Sequence, residues 1–194
     1  MTSETTLDNR REGERHLFPV SRLRRLDNWL RPLVHNPKTL VGPSLQPGMT
    51  ALDVGCGGGF LTMAMARFVG ETGRVIAAEL QPEMLDAVAA RATREGLAGR
   101  VQLHRCTEDR IGVTDELDLG VAFFMLHEVP DQRGFLEELW DRLRPGGRLL
   151  VAEPMFHVPK RNFEQEVALA EAVGFVVEAR PNVLGGRAAM LGKR

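Results

Sequence analysis

Apolar positions along this chain fall into two alternating patterns. Short β-prone runs end at a charged or turn residue: 51–54, 74–78, 101–105, 117–122, 148–151, 175–180 and 187–192. Between most of them lie longer stretches with apolar residues at helical spacing, the signature of an amphipathic helix. Residues 61–69 form one such stretch, and Phe135, Leu136, Leu139, Trp140 and Leu143 line another. Residues 163–173 form a third. Pro82 suits the first turn of a helix opening after the second run, and the Pro145-Gly146-Gly147 turn ends the helix before the fifth. Alternating strands and helices predict an α/β fold around a buried, mostly parallel sheet. Only a short loop separates the last two runs, too little for a parallel crossover, so they are expected to pair as an antiparallel hairpin.

The chain divides into an N-terminal extension, 1–45, and a main domain, 46–194. Residues 1–15 are polar and rich in Arg and Glu and are expected to fray. Leu23, Leu26, Leu30 and Leu33 recur at helical spacing beside Trp29, predicting an amphipathic helix near 20–31 that Pro32 and Pro37 terminate. Another short turn is expected over 38–45. Length agrees with a single domain.

The most specific chemistry lies where the first strand meets its helix, in Asp53-Val54-Gly55-Cys56-Gly57-Gly58-Gly59-Phe60. Glycine lacks a Cβ and accepts positive φ, so a ligand can lie directly on such a backbone. A dinucleotide fingerprint places a third glycine where this chain has Phe60, and it serves a pyrophosphate. Asp53 would repel phosphate and favour a cation or an amine. A ligand with a positive centre, an amino group and no phosphate fits better, and S-adenosylmethionine has all three. Glu79 ends the second strand, near the offset of about 20 residues at which α/β nucleotide sites place a carboxylate on ribose hydroxyls.

The Asp-Val-Gly-Cys-Gly-Gly-Gly-Phe run resembles the first motif of the class I (Rossmann-like) S-adenosylmethionine-dependent methyltransferases. The likeness continues through Glu79-Leu80, the segment after the third strand, Phe123 to Asp131 after the fourth, and Arg144 to Val151 into the fifth. It spans roughly residues 50–193. It implies a doubly wound, mostly parallel seven-stranded sheet of order 3-2-1-4-5-7-6, last strand antiparallel, with helices on both faces. It further implies that Asp53, Gly55, Cys56, Gly57, Glu79, Leu80, Thr107, Glu108 and Phe123 bind the cofactor, S-adenosylhomocysteine being the product. In this class a polar residue after the third strand holds the adenine amino group. Thr107, Glu108 and Asp109 are alternatives here because the usual Gly-Asp-Ala form is missing. The resemblance also assigns a covering role to the N-terminal extension, with Phe18 and Trp29, together with Phe124 and His157, walling a substrate pocket.

Methyl transfer needs a general base only if the acceptor must lose a proton. His127 and Glu128 after the fourth strand are the leading candidates, followed by Glu153 and His157 after the fifth. None has a partner in the sequence that fixes its tautomer or charge. The net charge of −1 exerts no global pull toward nucleic acid or an anionic membrane. Acids interrupt the N-terminal arginines, which favours a solvated helical face. No apolar run is long enough for a membrane span, and no signal-peptide core opens the chain. The two cysteines point to neither a disulfide framework nor a zinc site, so no metal is expected. A cytoplasmic monomer or homodimer acting on a small-molecule acceptor is the expectation. Two alternatives remain: a protein or RNA methyltransferase working with a partner, and a non-catalytic S-adenosylmethionine-binding subunit.

Overall fold

The computed structural model describes residues 36–194. The expected helix near 20–31 and the pocket residues Phe18 and Trp29 lie outside the described residues. A short helix α1 (Pro37–Leu40) and a 3-10 turn (Gly42–Ser44) precede the sheet. Leu40, Val41 and Leu45 are buried in the core. Packing on the domain therefore begins before residue 46.

Then follow β1 (Thr50–Val54), α2 (Phe60–Phe68), β2 (Arg74–Glu79), α3 (Pro82–Arg94), β3 (Val101–Arg105) and β4 (Leu117–Phe123). The second half holds α4 (Gln132–Arg142), β5 (Leu143–Pro154), α5 (Lys160–Val173), β6 (Val176–Ala179) and β7 (Gly186–Gly192). The seven strands form one sheet in the order β3-β2-β1-β4-β5-β7-β6. Pairing is parallel from β3 to β5, while β7 runs antiparallel between β5 and β6. The predicted sheet and its terminal hairpin are both present. The Pro145-Gly146-Gly147 turn is not a simple entry into the fifth strand but a bulge within it. The register jumps from Leu117↔Leu143 to Leu119↔Arg148, and Gly146 N–H donates to Lys193 O at 2.8 Å while Lys193 N–H donates to Gly147 O at 2.9 Å.

Side chains alternate across each strand, so parity decides which layer of helices a residue meets. Ala51, Val75, Ala77, Leu119, Val121, Leu150 and Ala152 face one apolar layer with Leu61, Met65 and Val88 from α2 and α3. Leu52, Val54, Ile76, Ala122, Leu149 and Val151 face the other, with Leu136 and Leu139 of α4 and Phe163 of α5. Full burial of such a side chain contributes about 1.5–3 kcal/mol. On this alternation Asp53 belongs to the α2 face and Glu153 to the α4/α5 face. Both are charged groups within apolar strands, 2% and 1% exposed.

Candidate functional site

The carboxyl ends of β1, β2, β4 and β5 converge on one edge of the sheet, where open α/β sheets bind their ligands. Backbone bonds from Gly55 and Cys56 N–H to Ala78 O, at 2.9 and 3.2 Å, fold the turn after β1 over the end of β2. Gly57 has φ +50°, and a Cβ built there would meet nothing within 4 Å. The turn therefore offers bare backbone to open space, and α2 opens directly behind it at Phe60 with Gly59 as its N-cap.

Glu79 braces that surface. Its Oε2 accepts from Gly57 N–H at 3.0 Å, while its Oε1 accepts from Leu80 N–H at 2.7 Å and Gln81 N–H at 3.1 Å. An ionised carboxylate offers about four acceptor sites. Those three bonds leave roughly one of the four for a ligand. Asp53 sits lower: its Oδ2 accepts from Thr62 Oγ1 at 2.6 Å. Strand parity sends it toward α2, where it is buried. Cys56 is buried in the same turn, and burial, helped by Asp53 and Glu79, drives its thiol far above the ordinary range. Cys106 is likewise pushed up to about 12 by burial. Both thiols stay protonated and serve as packing. No cluster of His, Cys, Asp and Glu suited to a metal occurs among the described residues.

Thr107 and Glu108 lie in the loop after β3. Both Thr107 N–H and its hydroxyl donate to Arg110 O, at 3.0 and 3.3 Å. Glu138 of α4 anchors the foot of this loop, accepting from Ile111 N–H at 2.9 Å and Gly112 N–H at 2.6 Å. His104 Nε2 meets Ile111 O at 2.7 Å.

At the end of β4, Phe123 and Phe124 stack with centroids 4.2 Å apart. Phe124 has φ +63°, rare for a bulky residue, a form of local strain found mainly at functional sites. Gly186 of β7 makes room for its ring, because a Cβ there would come within 2.9 Å of Phe124 Cε1. Met125 covers the glycine turn: a Cβ on Gly55 would lie 3.0 Å from its Cγ.

Next comes a one-turn 3-10 helix, Leu126–Glu128. Glu153 of β5 holds it twice, Oε1 accepting from His127 N–H at 3.1 Å and Oε2 lying 2.5 Å from His127 Nδ1. The imidazole therefore has the partner that no local sequence pattern reveals. His127 Nε2 lies 3.9 Å from Glu128 Oε1, and the His157 ring packs edge-on at 5.0 Å. The hydrogen bond that His127 makes to Glu153 raises its pKa above the ordinary 6.5, against the opposing effect of burial. Burial raises Glu128, as do the charges of Glu153 and Glu79.

Behind this turn Glu166 of α5 is 5% exposed. Its Oε1 is 3.4 Å from Gln132 Nε2, which also donates to Leu126 O at 3.0 Å. Its buried Oε2 has no hydrogen-bond partner. Thr62, Gln132, Glu138, Glu166 and Gly186 join the site although no motif in the sequence marks them. One signal was available: Glu166 occupies a position of the buried stripe Phe163, Val167, Ala170.

The family model for a methyltransferase domain matches residues 51–147. Among curated relatives, the ubiquinone/menaquinone biosynthesis C-methyltransferase UbiE of Hydrogenovibrio crunogenus is 36% identical over 110 residues, covering 56% of this chain and 43% of that protein. The same enzyme from Vibrio vulnificus is 35% identical over 109 residues, 56% of this chain and 42% of that protein. The chain thus spans less than half the length of these relatives. Among solved structures, a SAM dependent methyltransferase from Aquifex aeolicus superposes with a TM-score of 0.82 at 27% identity, over 92% of this chain and 100% of that one. The [4+2]-cyclase SpnF superposes with a TM-score of 0.65 at 19% identity, over 79% of this chain and 78% of that one. That second likeness shows the fold alone, and a cyclase on this fold shows that architecture does not dictate chemistry.

Proposed function

We propose that this chain, which belongs to the methyltransferase domain family, transfers a methyl group from S-adenosylmethionine to a small-molecule acceptor. The observation that carries the reading is the Gly57–Glu79 arrangement: bare backbone over open space, braced by a carboxylate with acceptor capacity to spare. Family and fold imply this cofactor, and the residues present fit it. Glu79 would take a ribose hydroxyl, Leu80 an adenine face, Thr107 or Glu108 the adenine amino group, and Gly55, Cys56 and Gly57 the amino-acid portion. Asp53 favours the positive charge by its field, and Phe123 closes the floor. S-adenosylmethionine supplies a methyl group already activated on a sulfonium.

The protein's remaining work is to orient the acceptor, exclude water and remove a proton where the acceptor carries one. Phe124 and His157 line the acceptor side, and His127 is the proposed base, with Glu128 beside it. A base must be neutral, and the raised His127 pKa moves the active limb of the pH profile upward from the ordinary histidine value. The curated relatives are C-methyltransferases by name, which supports a carbon acceptor. No described helix is long and apolar enough to cross a membrane.

Calorimetric titration with S-adenosylhomocysteine tests the cofactor. Wild type is expected to bind it, and Glu79→Ala to bind at least tenfold more weakly. Absence of binding by wild type, or equal affinity in the variant, rejects the site. Transfer of a labelled methyl group into a metabolite pool then identifies the acceptor.

A further inference from the structure

We infer that Glu153 is the positioning residue of His127: by occupying Nδ1–H it leaves Nε2 as the nitrogen that takes the acceptor's proton. The inference rests on the proposed methyl transfer only for what the proton transfer accomplishes; the positioning itself follows from geometry.

Glu153 is 1% exposed at the end of an otherwise apolar strand, and both of its oxygens are engaged by His127. An ionised carboxylate can only accept. Its bond to Nδ1 therefore requires the proton on Nδ1, which puts the lone pair of a neutral ring on Nε2. The second bond, from the backbone N–H, fixes the turn from which the ring projects. Gln132 secures the same turn through Leu126 O at 3.0 Å. Nε2 then points to the partly open side, toward Glu128, whose side chain is 45% exposed.

The proton step balances on these groups. The acceptor's X–H bond breaks, its electron pair stays on X, and the proton forms a bond to Nε2. The resulting imidazolium carries a positive charge beside the Glu153 carboxylate, which offsets it in a poorly solvated place. The proton then leaves to water by the open side. The charged and titratable groups bearing on this ring are Glu128 on its own turn, Glu153 on β5, His157 after β5 and Glu166 on α5. Arg187 stands opposite Glu153 on β7, but its guanidinium donates to Val158 O at 2.9 Å.

Glu153→Gln is the discriminating change. His127 N–H and Nδ1 engage opposite oxygens of Glu153, so in a glutamine held the same way the NH₂ must face one of them, and that donor loses its acceptor. If the amide NH₂ faces the ring, it donates to Nδ1 and forces the proton to Nε2. Histidine-selective ¹H–¹⁵N spectra of the full chain read this directly. Wild type is expected to show the Nδ1–H form of neutral His127. The variant should show a His127 pKa lower by at least one pH unit, with a larger fraction of the Nε2–H form. A wild type in the Nε2–H form, or a variant whose His127 titration and tautomer match wild type, overturns the inference; the first outcome is decisive even if the variant fails to fold. Glu166→Gln is the control and should leave the tautomer unchanged. With the acceptor in hand, Glu153→Gln should lower kcat by on the order of 10³-fold or more, with S-adenosylhomocysteine affinity within twofold of wild type. Failure of S-adenosylhomocysteine to bind wild type rejects the cofactor reading and leaves the spectra to decide the positioning role.

Discussion

Glu166 gives the structure a measurable pH dependence. It replaces an apolar residue in the buried stripe of α5, has an orphaned Oε2 and lies close enough to Glu153 to feel its charge. Burial chiefly, and Glu153 next, raise its carboxyl from the ordinary 4.5 to about 7. The folded protein therefore holds this proton more tightly than the unfolded chain. Its contribution to stability is complete below about pH 4.5 and is lost as pH rises through about 7. At about 1.4 kcal/mol per pH unit, the loss amounts to roughly 2–3 kcal/mol, allowing for partial solvent screening. Glu166→Gln keeps the shape and removes the titration. Its amide leaves a buried N–H where Oε2 stood, a penalty of about 1–3 kcal/mol that does not vary with pH. Only the pH dependence of the difference is diagnostic. Urea denaturation of both proteins at several pH values between 5 and 8, with unchanged m-values, supplies it. The variant's stability relative to wild type should rise by roughly 2–3 kcal/mol across that interval. A constant offset would mean that Glu166 ionises freely and is solvated in the native state.

Two further changes test the scaffold around the site. Glu138→Ala removes the acceptor for Ile111 N–H and Gly112 N–H. It should destabilise the protein by about 1–3 kcal/mol in urea and weaken S-adenosylhomocysteine binding through the 107–110 loop; full stability would show that water replaces the carboxylate. Gly186→Ala places a Cβ within 2.9 Å of both Phe124 Cε1 and Val183 Cγ1. A thermal or urea measurement should register a loss of about 1–3 kcal/mol from overpacking, and no loss would mean that Phe124 moves freely.

Periodicity made the alternating strands and helices legible, while the strand order was implied by the family resemblance. Strand runs and helical stripes are local patterns, and the short connection between β6 and β7 left no topology but a hairpin. The glycine turn after β1 and the acid ending β2 were also visible, because a strand–turn–helix unit places its own residues without help from the rest of the chain. What escaped inspection lay across strands and layers. The bond from Thr62 to Asp53 depends on α2 packing over the β1 face that strand alternation assigns to Asp53. His127 seemed to lack a partner because Glu153 is remote in sequence and adjacent only once β4 and β5 pair in parallel. Glu166 and Gln132 reach the same turn only because α4 and α5 pack side by side on one face. Local spacing encodes secondary structure and its turns; the protonation state of a side chain depends on charges and burial that distant segments supply, and these exist only after the sheet has closed.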